Sequence, residues 1–257
     1  MADIRWVDGD LRVYSNWYSE NRFDYSKFKS KKAVLDWFKS NNYRGTNHGE
    51  VTEFLIDYIK KNNFKNIVSF GAGSCAMEYL IKEALPDVNV VATEYETRMV
   101  ETVKPFFKEI TCVPFDFFKD DIGDIQKELG INFDFAFFSA SAYAMDDANF
   151  LKMFKRLNEC EIHNVVDNSG GIVFHKRYFG RFLYRLINAF NYVLYEDLKY
   201  PMKYIPENRP YGYGRTIPEL RKLYRQTGYD VIDEPKIGTI YYVSVLRSMS
   251  ANNGKKK

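Results

Sequence analysis

From Asn66 onward the chain alternates short apolar, β-branched runs with amphipathic stretches of helical period, and this alternation limits the fold more than any other feature. The apolar runs fall at 66–70, 88–93, 110–114, 133–139, 162–166, 229–233 and 239–247. Helical patterns lie between them at 76–84, 97–107, 121–129, 146–158 and 216–227, the last opened by the capping-box sequence Thr216-Ile-Pro-Glu219. Parallel neighbours need a crossover of a dozen or more residues, usually a helix, so strand–helix alternation implies a parallel sheet covered on both faces. The expected fold is α/β: a doubly wound, mostly parallel seven-stranded sheet with helices on both faces. A turn at 235–238 between the last two runs makes the end of the sheet an antiparallel hairpin.

The 257 residues are 46% hydrophobic and 28% charged, which excludes disordered, collagen-like and disulfide-scaffold chains. Residues 1–46 read as an N-terminal helical extension or lid, rich in rings and cations, with Val34, Leu35, Trp37 and Phe38 on an amphipathic stretch at 32–41. A regular helix follows, with Asn47 as its N-cap and Val51, Phe54, Leu55, Tyr58 and Ile59 on one face. The main domain is expected at 47–247 and a disordered basic tail at 248–257. Cys75, Cys112 and Cys160 are far apart in sequence and form no CxxC pair, so neither a disulfide framework nor a metal site is expected. The opening MADIRWVDGD does not read as a secretory signal and no apolar run is long enough to span a bilayer, so a cytoplasmic protein is expected.

Charge and aromatic content are unevenly placed. The net charge of +3 is too mild for a general polyanion binder. Residues 174–225, however, carry eleven Lys or Arg against four Asp or Glu, a local +7 that leaves −4 for the rest. The same stretch holds nine Tyr and four Phe, and aromatics make up 17% of the whole chain, more ring than a core of this size needs. Its part at 174–215 is expected to be an insertion before the closing helix, with cations that can hold phosphate or carboxylate and rings that can stack on sugars or bases. Arg177, Arg181 and Arg185 would form a positive stripe opposite Phe182, Leu183, Leu186, Ile187 and Phe190, and the prolines and glycines of 200–215 would make a lid-like loop.

The most informative local pattern is Gly71-Ala72-Gly73-Ser-Cys-Ala76 after the first run, with Glu94 at the tip of the second. Glycines let the backbone turn sharply and approach a ligand, a helix N-terminus presents N–H groups, and an acid at the second strand tip can accept both ribose hydroxyls. Dinucleotides and S-adenosylmethionine (SAM) both fit such a unit. Dinucleotide folds usually open with it, whereas here 65 residues precede Asn66, and a capped helix and hairpin close the chain.

In this order of elements, from about Asn66 to Arg247, the sequence resembles the class I, Rossmann-like SAM-dependent methyltransferases. The resemblance implies that Gly71, Ala72 and Gly73 contact the methionine part of the cofactor and that Glu94, with Tyr95 beside it, binds the ribose. It further implies that Asp116 and Phe117 meet the adenine, and that Ser139 lies between cofactor and acceptor. The pattern departs from the family at Ser69, where an acid is usual, and at Cys75, where a third glycine is usual. Ser139-Ala-Ser-Ala-Tyr143 also lacks the Asn/Asp-Pro-Pro-aromatic signature of enzymes that methylate base amino groups.

Methyl transfer needs a base only if the acceptor is a hydroxyl or a protonated amine. His175, beyond the strand-five end and after Asp167 and Asn168, is the base candidate. His48 reads as a polar helix cap, His163 as a satisfied core histidine, and Asp146-Asp147 as acids stabilising a helix N-terminus. The function expected is SAM-dependent methyl transfer to a small or medium, anionic or sugar-like acceptor, including a glycan, with oxygen favoured over nitrogen. Rival readings are an NAD-dependent oxidoreductase or epimerase, an RNA methyltransferase or nucleic-acid-binding module using the basic stretch, and a non-catalytic derivative of the fold.

Overall fold

The computed structural model describes residues 4–5, 28–40, 48–168, 213–237 and 241–253. Seven strands form one sheet: β1 (Asn66–Phe70), β2 (Asn89–Glu94), β3 (Thr111–Pro114), β4 (Phe135–Ser139), β5 (Asn164–Asn168), β6 (Tyr229–Asp233) and β7 (Ser244–Ser248). Their order is β3-β2-β1-β4-β5-β7-β6. The first five are parallel, and β7 runs antiparallel to both β5 and β6, with a register shift between Val245 and Leu246. This is the doubly wound sheet the alternation predicts.

The described helices of seven residues or more are α1 (Lys31–Ser40), α2 (His48–Asn62), α3 (Ala76–Ala84), α4 (Thr97–Val103), α5 (Ile122–Leu129), α6 (Asp147–Glu159) and α7 (Ile217–Gln226). Period-two alternation on the strands sorts them into two layers. Ile67, Val90, Ala92, Phe135, Phe137, Val166 and Val245 bury one face of the sheet with α1 to α4. Val68, Phe70, Val91, Ala136, Phe138, Val165 and Leu246 bury the other with α5 to α7. Much of the ring surplus lies here. Phe70, Phe138, Phe154 and Phe150 make a continuous stack with centroid separations of 4.8, 5.0 and 4.3 Å.

Several boundaries differ from expectation, each for a local reason. The fifth strand is shifted two residues, because Ile162 N–H donates to the Leu157 carbonyl (3.0 Å) and Glu161 adopts φ 61°, so 161–162 close α6 instead of starting the strand. His163 therefore precedes β5, and its Nδ1 is buried without a hydrogen-bond partner, unlike the satisfied core histidine expected. Helix α4 stops at Val103 because Pro105 lacks the N–H that would continue the ladder. The 235–238 stretch is not the hairpin turn: Lys236–Ile237 pairs antiparallel with Tyr241–Tyr242, a small ribbon that lengthens the hairpin beyond the main sheet. The ordered chain also passes residue 247, since β7 ends at Ser248 and Ser250–Asn253 forms a helical turn.

Of the 174–215 insertion, only 213–215 are described, and this return is anchored. Tyr213–Gly214 pairs antiparallel with Ile4–Arg5, joining the return to the N-terminal extension. Arg215 is buried, donates to the Met145 carbonyl (2.6 Å) and to Asp147 (2.8 Å), and lies 4.8 Å from the centre of the Phe150 ring. Thr216 and Glu219 complete the expected capping box of α7. The candidate base His175, the arginine stripe and most of the lid loop lie outside the described residues, as does most of the 1–46 extension.

Phe154 is fully buried against Phe138, Phe150, Tyr224 and Tyr229. Phe154→Ala is expected to lower unfolding free energy by about 3–5 kcal/mol, read by chemical denaturation.

Candidate functional site

The carboxyl ends of parallel strands are where open α/β sheets bind ligands. Gly71, Ala72 and Gly73 follow β1, Glu94 and Tyr95 end and follow β2, Asp116 follows β3, and Ser139 ends β4. All seven are partly exposed, and the parallel register brings them to one edge of the sheet. Phe117 is different. Its ring is buried against Phe70, Phe115 and Phe138, beneath this edge and not lining it.

The glycine loop is tied to the neighbouring strand. The Thr93 carbonyl accepts from both Gly71 and Ala72 N–H (2.9 Å each), and Gly73 N–H donates to Glu94 Oε2 (2.7 Å). Glu94 Oε1 accepts from Glu96 N–H (3.0 Å). Gly71 has φ 74°, and a Cβ there would lie 2.4 Å from Ser141 Cβ, so both conformation and space require glycine. Ser141 is itself fixed by donating to the Phe70 carbonyl (2.6 Å). Gly73, at φ 55°, faces open space.

Both departures from the expected motif have a structural answer. Cys75 is the N-cap of α3 at φ 57°, a conformation costing a side-chain-bearing residue about 1–2 kcal/mol. Its thiol is buried 3.6 Å from that of Cys112 on β3, so cysteines far apart in sequence are neighbours in space. Ser69 is answered by Glu78, in the first turn of α3. The Ser69 hydroxyl donates to Glu78 Oε1 (2.5 Å), and Glu78 is only 1% exposed. Its Oε2 has no hydrogen-bond partner. Burial pushes the Glu78 carboxyl up to about 7, opposed by the Ser69 bond and helped by the negative charge of Glu94. Burial also raises Glu94, against the backbone N–H groups of Glu96, Gly73 and Tyr95.

Glu78 carries no motif of its own in the sequence. Its signal is an acid on the first turn after a glycine loop, at a position the helical period turns inward, nine residues beyond Ser69. At the same edge, Asp167 is buried and accepts from the Tyr224 hydroxyl (2.6 Å), while the Oδ1 of Asn168 is buried without a partner. Asp116 accepts from Phe118 N–H (3.0 Å) and pairs with Lys119 (3.0 Å). Asp146 is the N-cap of α6, bonding Asn149 N–H at 2.8 Å, the structural role expected of it. His48 opens α2 with its ring 5.2 Å from that of Phe38, and burial lowers its pKa. No group of three or more His, Cys, Asp or Glu that could hold a metal occurs among the described residues, and no described helix is long and apolar enough to cross a membrane.

No protein-family model and no curated protein matches the chain. Solved structures do. Magnesium protoporphyrin IX methyltransferase from Synechocystis PCC 6803, with bound SAH, matches 92% of this chain and 98% of its own at 10% identity and TM-score 0.58. A SAM-dependent methyltransferase from Clostridium acetobutylicum ATCC 824 matches 84% of this chain and 98% of its own at 12% identity and TM-score 0.55. The fold is that of the class I SAM-dependent methyltransferases. Human N-acetylserotonin methyltransferase in complex with SAM shares it over 89% of this chain, at 15% identity and TM-score 0.54. The chain spans 59% of that protein and 66% of mitomycin 7-O-methyltransferase.

Gly71→Ala should cost about 3 kcal/mol of stability, combining a left-handed conformation with a clash, whereas Gly73→Ala should cost about 1 kcal/mol. Denaturant titration of the two variants checks the ranking. A second outcome follows from Glu78. A carboxyl raised in the folded state stabilises fully below its unfolded value, and that contribution is lost as pH rises through the folded one. The stability of Glu78→Gln relative to the parent should therefore rise by about 1.4 kcal/mol per pH unit between pH 4.5 and 7, then level. Urea midpoints across that range measure it.

Proposed function

We propose that this chain binds SAM at the carboxyl edge of β1 to β4 and transfers its methyl group to a small-molecule acceptor. The observation that carries the reading is the pair of carboxylates at the glycine loop, Glu78 and Glu94, both raised by burial. A dinucleotide pyrophosphate would add negative charge to that pair, whereas SAM brings an ammonium and a sulfonium. The charge of the loop thus favours SAM over NAD.

The residues fit the cofactor in three further respects. Each Glu94 oxygen spends one acceptor site on a backbone N–H, which leaves lone pairs on both for a ribose diol. Gly73 leaves open the space that a side chain would fill. Asp116, beyond β3, keeps a partly exposed carboxylate for an exocyclic amine. When bound, SAM supplies an electrophilic methyl group on a positively charged sulfur.

The protein's part is then to orient and to exclude water. Holding acceptor and methyl in line can supply much of the acceleration. The acceptor would come from the side of the 174–215 insertion, whose eight Lys or Arg against three Asp or Glu, with twelve Tyr and Phe, suit an anionic or sugar-like molecule. An oxygen acceptor is the preferred one: the chain lacks the base-amino signature after β4, and its structural likenesses include mitomycin 7-O-methyltransferase and a putative O-methyltransferase from Nostoc punctiforme. His175, in the insertion, is assigned as the base that accepts the hydroxyl proton.

Isothermal titration with SAM tests the reading. Binding in the micromolar range is expected, with at least a tenfold loss in Glu94→Ala, about 1.4 kcal/mol or more. Absence of binding at millimolar SAM overturns it. In a methyl-transfer screen over hydroxyl acceptors, His175→Ala should lower kcat about 10²- to 10⁴-fold while leaving SAM affinity unchanged.

A further inference from the structure

A carboxylate that is 1% exposed, bonded through one oxygen and unpartnered through the other needs a reason to be there. Leaving such a group unsatisfied is costly, and an apolar residue of similar size would pack in its place without that cost. Glu78 is also placed to act at the loop. It lies in the first turn of α3, three residues past the Cys75 N-cap, and it is held by Ser69, two residues before Gly71. The groups that face it are Glu94 from β2, Cys75 at the head of α3 and Cys112 from β3. All are neutral or acidic; the contact with Cys112 and burial push the Cys75 thiol up, with the charge of Glu78 adding to it, while the contact with Cys75 lowers Cys112, which Lys104 also faces. The unpartnered oxygen therefore has no cation among these described neighbours, and the residue sits in the first turn of the helix that the glycine loop enters.

We propose that Glu78 is the cation-binding residue of the cofactor site: its carboxylate receives the ammonium of the amino-acid end of SAM, and the free protein gives up a proton from Glu78 when SAM binds. The assignment rests on the SAM reading above and goes beyond it, because it places the acid on α3 when the strand position, Ser69, cannot supply one. Ser69 becomes a positioning residue, since its hydroxyl occupies Oε1 and leaves Oε2 for the ammonium. The proton balance is simple. Below about pH 7 the free site is Glu78-COOH, the complex pairs carboxylate with ammonium, and one proton passes to the buffer.

The test is calorimetric titration of the full chain at pH 6.5 in buffers of low and high ionisation enthalpy, with SAM and with 5′-methylthioadenosine, which lacks the amino-acid end. For SAM, release of about 0.5–1 proton is expected, with affinity falling up to tenfold per pH unit from 7 to 5.5. Methylthioadenosine should release none. Glu78→Gln, which keeps shape and a hydrogen-bond acceptor for Ser69, should bind SAM ten- to a hundredfold more weakly and without proton release, yet bind methylthioadenosine within twofold of the parent. SAM binding by the parent without proton release overturns the Glu78 assignment alone, whether or not the variant folds. So does equal loss of both ligands in Glu78→Gln. A parent chain that binds neither ligand overturns the SAM reading and this one together.

Discussion

The Thr93 carbonyl, accepting N–H bonds from both Gly71 and Ala72, is the contact on which the site depends. It joins the end of one parallel strand to the loop leaving the next, so the loop conformation follows from the pairing of β1 with β2. Phe70 stands opposite Thr93 in that pairing, and the chain must turn immediately afterwards to enter α3. Glycine at 71 permits the turn at φ 74°, and Ser141 closes the space beside it. Glu94 then bonds Gly73 N–H one residue beyond the same pairing, so a single ladder sets both the loop and the carboxylate beneath it.

The two-layer core makes that ladder rigid. Alternate strand residues feed opposite helix layers, and the stack from Phe70 through Phe138 to Phe154 and Phe150 links the first strand to α6. Arg215 lies over the same Phe150 and bonds the Met145 carbonyl, so the return of the insertion is seated on the far end of the stack. The rings on the strands and α6 hold the sheet; most of those at 174–225 lie outside the described residues.

The sheet was legible because each of its signals is local and redundant. Apolar runs, glycine turns and helix caps coincide at β1, α3, β2 and α7, and there the expected and observed boundaries agree within a residue or so. Boundaries moved where one residue carried competing instructions. Ile162 is as apolar as a strand residue, yet it completes the hydrogen bonding of α6, and Pro105 stops a helix whose apolar period continues past it. Spatial pairs were illegible altogether. Cys75 and Cys112 sit 37 residues apart and meet only because β3 lies beside β2, and Glu78 meets Ser69 only because α3 folds back over β1.

That last contact changes the meaning of the motif. A serine where the family places an acid reads, residue by residue, as a lost function. In three dimensions a buried carboxylate from α3 meets that serine: Ser69 donates to Glu78 Oε1, and Oε2 is left without a partner. Burial raises the Glu78 carboxyl and the charge of Glu94 adds to the rise, and the chain keeps the acid against that cost. Structural ion pairing does not account for Glu78, since the described groups acting on it include no cation. A ligand that brings the positive charge resolves the conflict. It also explains why the proton of Glu78, held near neutral pH in the free protein, would be the one displaced.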